Sequence, residues 1–180
     1  MILAPHPSSE ASAVRSLNAH VARARGAQLH LHFRLEGELA KLRVPVPAEQ
    51  VEADGLWRST CFEAFVAEAG SPAYCELNFA PSCAWALYCF EAYRKPHSNV
   101  AQGLHLRNAP VISSTRAKDT VELSATIDLY GLIDAAASWQ IALTAVVEDR
   151  DGRLSYWSAR HAPGKPDFHH RDTFAIELAA

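Results

Sequence analysis

The 180-residue chain predicts an all-β fold: one domain over residues 1–180, built as a two-sheet antiparallel β-sandwich of about nine or ten strands with at most a short helical turn. Three observations carry that expectation. Apolar and polar residues alternate from end to end of the chain, the period-2 signal of half-buried strands. Glycine-centred turn signals separate the alternating runs. No strand–helix–strand rhythm marks a parallel α/β sheet.

The elements follow in order. Val14, Leu17 and Val21 stand at helical spacing, yet Leu17, Ala19 and Val21 also alternate. A strand is favoured, because Gly26 then closes a hairpin into the run QLHLHFRL. That run sets Leu29, Leu31, Phe33 and Leu35 on one face and His30, His32 and Arg34 on the other. STCFEAFVAEAG (59–70), AYCELNF (73–79) and AWALYCFEAYR (84–94) are short and rich in aromatic and β-branched residues, with Gly70-Ser71-Pro72 breaking the first from the second. TVELSATIDL turns Val121, Leu123, Ala125 and Ile127 inward. LYGLIDAAAS (129–138) is compatible with one helical turn between strands. WQIALTAVVED (139–149) is apolar on both faces, which predicts a central strand covered on both sides. Asp151-Gly152 marks a tight hairpin, and FAIEL offers Phe174, Ile176 and Leu178 inward as the last strand.

Composition excludes several classes. With 49% hydrophobic and 21% charged residues the chain has the balance of a globular domain, not of a disordered one. A net charge of −3 and no basic stripe argue against nucleic acid. No apolar run approaches the roughly 20 residues that span a bilayer. The start, MILAPHPSSEAS, has no basic segment followed by an apolar one, so a cytoplasmic location is expected. Cys61, Cys75, Cys83 and Cys89 form no C-x-x-C pair, which predicts reduced thiols and no cysteine-held zinc.

The signatures of common enzymes are missing. There is no nucleophile elbow, no phosphate-cradling glycine loop and no H-E-x-x-H pair, and the expectation is a non-catalytic protein. Two regions nevertheless stand out. In LWRSTCFEAF (56–65), Glu63 interrupts an apolar strand. It is read either as a carboxylate satisfied by a core arginine or backbone amides, or as a ligand-facing acceptor beside Trp57. In SYWSARHAPGKPDFHHRDTF (155–174), Pro163, Gly164 and Pro166 preclude a regular helix. This stretch concentrates Tyr156, Trp157, His161, Lys165, Asp167, Phe168, His169, His170 and Asp172 on a shaped loop. Its histidines and acids do not preorganise a transition-metal site, because adjacent His169 and His170 point to opposite sides of an extended chain. His30 and His32 are expected to face solvent. Cofactors are therefore expected to be none, with loop carboxylates such as Asp149 and Asp151 of the kind that could hold a structural calcium.

Three runs in this order, Leu56–Phe65, Tyr74–Ser82 and Ser155–Trp157 through His169-His170, resemble the bacterial DOMON-like proteins, which are related to the family-9 carbohydrate-binding modules. The resemblance extends from about Leu29 to Leu178. It implies a β-sandwich that binds a small ligand without catalysis, a mono- or oligosaccharide in most such modules and haem in some DOMON domains. In sugar-binding members an aromatic residue stands six positions before a glutamate, which Trp57 and Glu63 match. A second aromatic completes the slot, a part open to Trp157 or Phe168. Glu63 and Asn78 would accept hydrogen bonds from the sugar, and Arg94 or Lys165 would donate. A haem would instead need His161, His169 or His170 as axial ligand. A structural or protein-interaction sandwich with a vestigial pocket is the other reading.

Overall fold

The computed structural model describes residues 1–10, 12–97 and 105–180. Strand alternation is realised almost wherever it was expected. β1 (Ile2–Pro5) leads into β2 (Val14–Arg23), which turns at Gly26 into β3 (Gln28–Gly37). Gly26 adopts φ +68°, a left-handed conformation natural to glycine. The strand reading of residues 14–23 therefore holds over the helical one. β4 (Val51–Glu52), β5 (Cys61–Glu68), β6 (Tyr74–Phe79), β7 (Ala84–Ala92) and β8 (Lys95–Pro96) follow. The second half holds β9 (Val111–Arg116), β10 (Thr120–Asp128), β11 (Trp139–Glu148), β12 (Leu154–Ser158) and β13 (Ile176–Leu178).

The described residues contain no α-helix, only 3-10 turns such as Leu56–Arg58 and Arg171–Thr173. The helical turn expected within 129–138 is instead a string of hydrogen-bonded turns and one isolated bridge, Tyr130 to Ile133.

The described residues hold 13 strands, more than expected, and eleven of them form one continuous ladder in the order β4-β7-β6-β5-β11-β12-β1-β2-β3-β10-β9. β13 pairs with β11 and β8 with β7. Two separate sheets are thus not what the pairing shows. β1 joins the halves: Ile2 and Leu3 pair with β2, whereas Ala4 and Pro5 pair with β12. The sheet is mixed, because β4 runs parallel to β7.

The sheet curls so that its two halves close on one core. Leu29, Leu31, Phe33 and Leu35 of β3 and Val121, Leu123 and Ile127 of β10 meet Phe62, Val66, Leu77, Phe79, Ile141 and Leu143. Phe33 and Phe62 stack across it with ring centroids 5.0 Å apart. β11 is buried on both faces, as its sequence predicted, between β5 on one side and β12 and β13 on the other.

A second, smaller cluster lies on the opposite face of β5, β6 and β11, where Phe65, Tyr74, Ala142 and Val146 meet Phe168 and Phe174. Phe174 therefore does not share a face with Ile176 and Leu178, which pack on the main core. All four cysteines are buried thiols, and the sulfurs of Cys75 and Cys89, cross-strand partners, share a hydrogen at 2.9 Å.

Candidate functional site: an aromatic cleft with an acidic floor

Strand parity decides which side chains meet. On β5, Phe62, Ala64 and Val66 enter the main core, so Glu63 and Phe65 point to the other side. By the same alternation β6 turns Tyr74, Glu76 and Asn78 outward, and β7 turns Tyr88 and Phe90. β11 adds Thr144 and Val146, and β12 adds Leu154 and Tyr156. The loop after β12 folds back over this surface and covers part of it with Pro166, Phe168 and His169.

What is left uncovered is a cleft of 550 Å³. It is lined by Trp57, Arg58, Tyr88, Phe90 and Arg94 on one flank and by Val146, Leu154, Tyr156 and Phe168 on the other. Glu63, Phe65, Glu76 and His169 lie between. Five adjacent strands, β7 to β12, floor it, a width of about 19 Å at the usual strand spacing.

The first flank is built on a tight turn. Gly55, at φ +75°, opens the 3-10 turn that carries Trp57. Its N–H donates to the Tyr88 hydroxyl at 3.1 Å, while that hydroxyl donates to Asp54. Burial, then the bond to Asp54, pushes the Tyr88 hydroxyl well above the ordinary phenol value, so it stays protonated. The Trp57 indole meets the Tyr88 ring edge-on at 5.5 Å and is 38% exposed, which leaves indole surface for a ligand. Across the cleft Phe168 packs edge-on to Tyr156 at 6.0 Å.

The floor holds two buried carboxyls. Glu63 pairs across the ladder with Asn78, which places Glu76, two residues earlier on β6, diagonal to it. Thr144 Oγ1 donates to Glu63 Oε2 at 3.0 Å, and Asn78 Nδ2 donates to Glu76 Oε1 at 2.7 Å. Burial, reinforced by the neighbouring Glu76, holds Glu63 well above the usual carboxylate range. Burial raises Glu76 too, against the Asn78 hydrogen bond and the Arg94 charge. Neither Glu63 expectation is met in full: no core arginine pairs with it, and it faces the cleft as an acid that can donate as well as accept.

His169 sits above Glu76. Its Nδ1 shares a hydrogen bond with the Tyr74 hydroxyl at 2.8 Å, and its Nε2 lies 3.6 Å from Glu76 Oε2. Burial, and then the Arg94 guanidinium, bring its pKa down to about 4, so the ring is neutral at physiological pH. Arg94 donates to Asp167 at 2.8 Å, and Asp167 also accepts from Tyr93 and from the His169 backbone N–H. Although its burial is the largest single influence on Asp167, these bonds together lower its pKa.

Of the residues singled out in the sequence, the cleft therefore collects Trp57, Glu63, Arg94, Phe168 and His169. The others lie elsewhere. Asn78 is fully buried and supports Glu76 from behind. Trp157 has the opposite strand parity to Tyr156 and enters the main core, where its Nε1 donates to Ser155. His161 packs edge-on to His6, with its Nε2 against the Ala4 carbonyl, in a separate depression.

Lys165 is exposed and does not line the cleft. Asp167 stands behind the rim, holding Arg94. His170 caps the Arg171–Thr173 turn, accepting from the Asp172 N–H. The sequence reading missed Glu76, Tyr88 and Phe90, while Tyr156, which it placed on the late loop, stands on β12 and lines the cleft. Alternation assigns each a face of its own strand, and the strand order brings those faces to the side of Glu63. Among the described residues no three His, Cys, Asp or Glu side chains gather as a metal cage.

No protein-family model matches the chain, and no curated protein matches it by sequence. Solved structures do match its shape. A family-9 carbohydrate-binding module from Caldicellulosiruptor kristjanssonii in complex with glucose has a TM-score of 0.60 at 9% identity, over 95% of this chain and 78% of that one. A family-9 module from the same organism in complex with cellotriose scores 0.51 at 11% identity, over 91% and 73%. A Bacteroides uniformis structure described as a candidate carbohydrate-binding protein scores 0.58 at 14% identity, over 88% and 75%. At such identities the likeness is one of fold alone, and the nearly all-β, strongly curled sheet of this chain resembles that of the family-9 carbohydrate-binding modules.

Proposed function

We propose that this chain is a non-catalytic carbohydrate-binding domain and that the sugar sits in the cleft between Trp57 and Phe168. The observation that carries the reading is the pairing of aromatic flanks with a hydrogen-bonding floor. Sugar rings present apolar C–H faces, which Trp57, Tyr88, Tyr156 and Phe168 are placed to meet. Sugar hydroxyls need donors and acceptors, which Glu63, Glu76 and Arg94 supply. The solved modules of like fold carry glucose or cellotriose, which favours the same ligand class here.

A haem reading has less support. Of the three candidate histidines only His169 lines the cleft, and its two nitrogens already face Tyr74 and Glu76.

Calorimetry against a panel of mono- and disaccharides tests the proposal, with Trp57→Ala as the matched control. Saturable binding by the parent protein and about fivefold or more weaker binding by the variant, the worth of a stacking platform of about 1 kcal/mol, are expected. A parent protein that binds no member of the panel would overturn it. Turnover of a chromogenic glycoside that is lost in Glu63→Gln would overturn the non-catalytic part.

A further inference from the structure

The floor of the cleft has a chemical imbalance that a neutral sugar leaves in place. Glu63 is 2% exposed and Glu76 is 6% exposed, and each has one oxygen anchored from behind, by Thr144 and by Asn78. The second oxygen of each takes no hydrogen bond from the described residues, both residues line the cleft, and the His169 ring is the one basic group among the described residues within 4 Å of Glu76 Oε2.

Among the described residues no arginine or lysine forms an ion pair with either acid, and the Arg94 charge reaches Glu76 without a direct contact. Arg94 is committed to Asp167 at 2.8 Å and its side chain is 52% exposed, while Arg58 lies at the mouth over the outer indole. Buried acids without a cation are costly when ionised. The surrounding rings, Trp57, Phe65, Tyr88, Phe90, Tyr156 and Phe168, attract a positive charge through their π faces.

We infer that the cleft selects a ligand bearing a protonated amine, placed between the free oxygens of Glu63 and Glu76. Under the carbohydrate reading, on which the choice of ligand rests, that ligand is an amino sugar. An ammonium group carries three donors and no acceptor, which matches two open carboxyl oxygens better than a hydroxyl does. The ring of the sugar keeps its place against Trp57.

Binding carries a proton balance. Because burial favours the protonated acids in the empty cleft, an ammonium that pairs with a carboxylate there releases the acid proton to the buffer. Nothing else facing the floor takes up that proton. His169, from the loop, is held neutral to about 4, Tyr88 of β7 stays protonated, and Arg94 after β7 is paired with Asp167. Arg58, from the 3-10 turn, also lines the cleft, with its guanidinium over the Trp57 ring. Affinity for the amine therefore rises with pH above the ordinary carboxylate range, as the two raised acids give up their protons. A neutral sugar held by a protonated Glu63 behaves in the opposite sense.

Calorimetry with glucose, glucosamine, N-acetylglucosamine and tetramethylammonium chloride tests this, run in two buffers of different ionisation enthalpy. Glucosamine is expected to bind about tenfold or more tightly than glucose, with proton release, and acetylation of the nitrogen is expected to remove the advantage. In Glu63→Gln and Glu76→Gln, checked for folding by thermal melts, the glucosamine-to-glucose ratio should collapse toward one. Equal affinities for glucose and glucosamine in the parent protein overturn the inference and leave the carbohydrate reading standing. Tetramethylammonium binding at the cleft with no sugar binding supports the cation site and overturns the carbohydrate reading. No binding of any of the four overturns both.

Discussion

The two halves of the sheet treat their outer faces in opposite ways. On β3 and β10 the outer face is solvated: His30 meets Thr126, and Arg34 bridges Glu36 and Glu122 in the open. On β5, β6 and β11 the outer face lies under the loop that follows β12, and the polar groups there, Glu63, Glu76 and Thr144, are buried. Both halves share one core, so the difference owes nothing to its packing. A polar residue on a solvated face costs little and asks for no explanation. An acid on a covered face loses its hydration, and it persists where something else has a use for it. That contrast is why the site is sought on one half and not on the other.

The largest effect is expected where the halves are alike. Phe62→Ala removes the ring that stacks on Phe33 and should lower stability by about 3–5 kcal/mol, as core aromatic truncations do. Urea melts measure it, and a loss under about 1 kcal/mol would mean that the halves do not close on a common core.

The pH dependence of stability comes next. Glu63 holds its proton in the native state above the value at which the unfolded chain releases it. Its contribution is therefore fully present below the unfolded carboxylate value, near pH 4.3, and is lost as pH rises toward the raised native value. His169 works in the other direction. With a native pKa of about 4 it costs stability as pH falls from the ordinary histidine range toward 4. Melts of Glu63→Gln and His169→Gln across this window should show each slope removed separately, and an unchanged profile in Glu63→Gln would contradict the buried acid.

Trp57→Ala sharpens the contrast between site and scaffold. The indole is 38% exposed, so its loss should cost under about 1 kcal/mol of stability while weakening sugar binding by on the order of 1 kcal/mol or more. A large stability loss with unchanged binding would make Trp57 a packing residue. The smallest effect belongs to the solvated face. Arg34→Ala breaks both exposed ion pairs, yet should change stability by only about 0–1 kcal/mol, and less at high salt. A loss of several kcal/mol would erase the distinction between the two faces.

Local pattern was enough for the long strands and most of their faces, but not for β1, β9 or β12, whose Tyr156 and Trp157 it read as loop, nor for the face of Phe174. Leu29–Leu35 and Val121–Ile127 alternate as their burial does, and Gly26, Gly70 and Gly152 take positive φ in the turns they mark. The doubly covered β11 was legible because both of its faces are apolar. The same alternation held information that went unread: Tyr156, and not Trp157, shares the side of Glu63. The hydrophobic weight of an indole suggested a ligand platform, whereas parity sends Trp157 into the core.

The sequence by itself determined the longer strands such as β2, β3, β10 and β11, where they turn and which of their residues alternate, because those depend on neighbours one to three positions away. Strand order did not follow from it. β1 bridges the two halves, and β5 stands beside β11, through hydrogen bonds between residues distant in the chain. That order gathers Glu63, Glu76, Tyr88 and Tyr156 on one floor, and the fold-back of Pro166, Phe168 and His169 closes it. Only then are the acids stripped of water, and desolvation is a property of everything packed around a group, not of the residue or its neighbours in sequence.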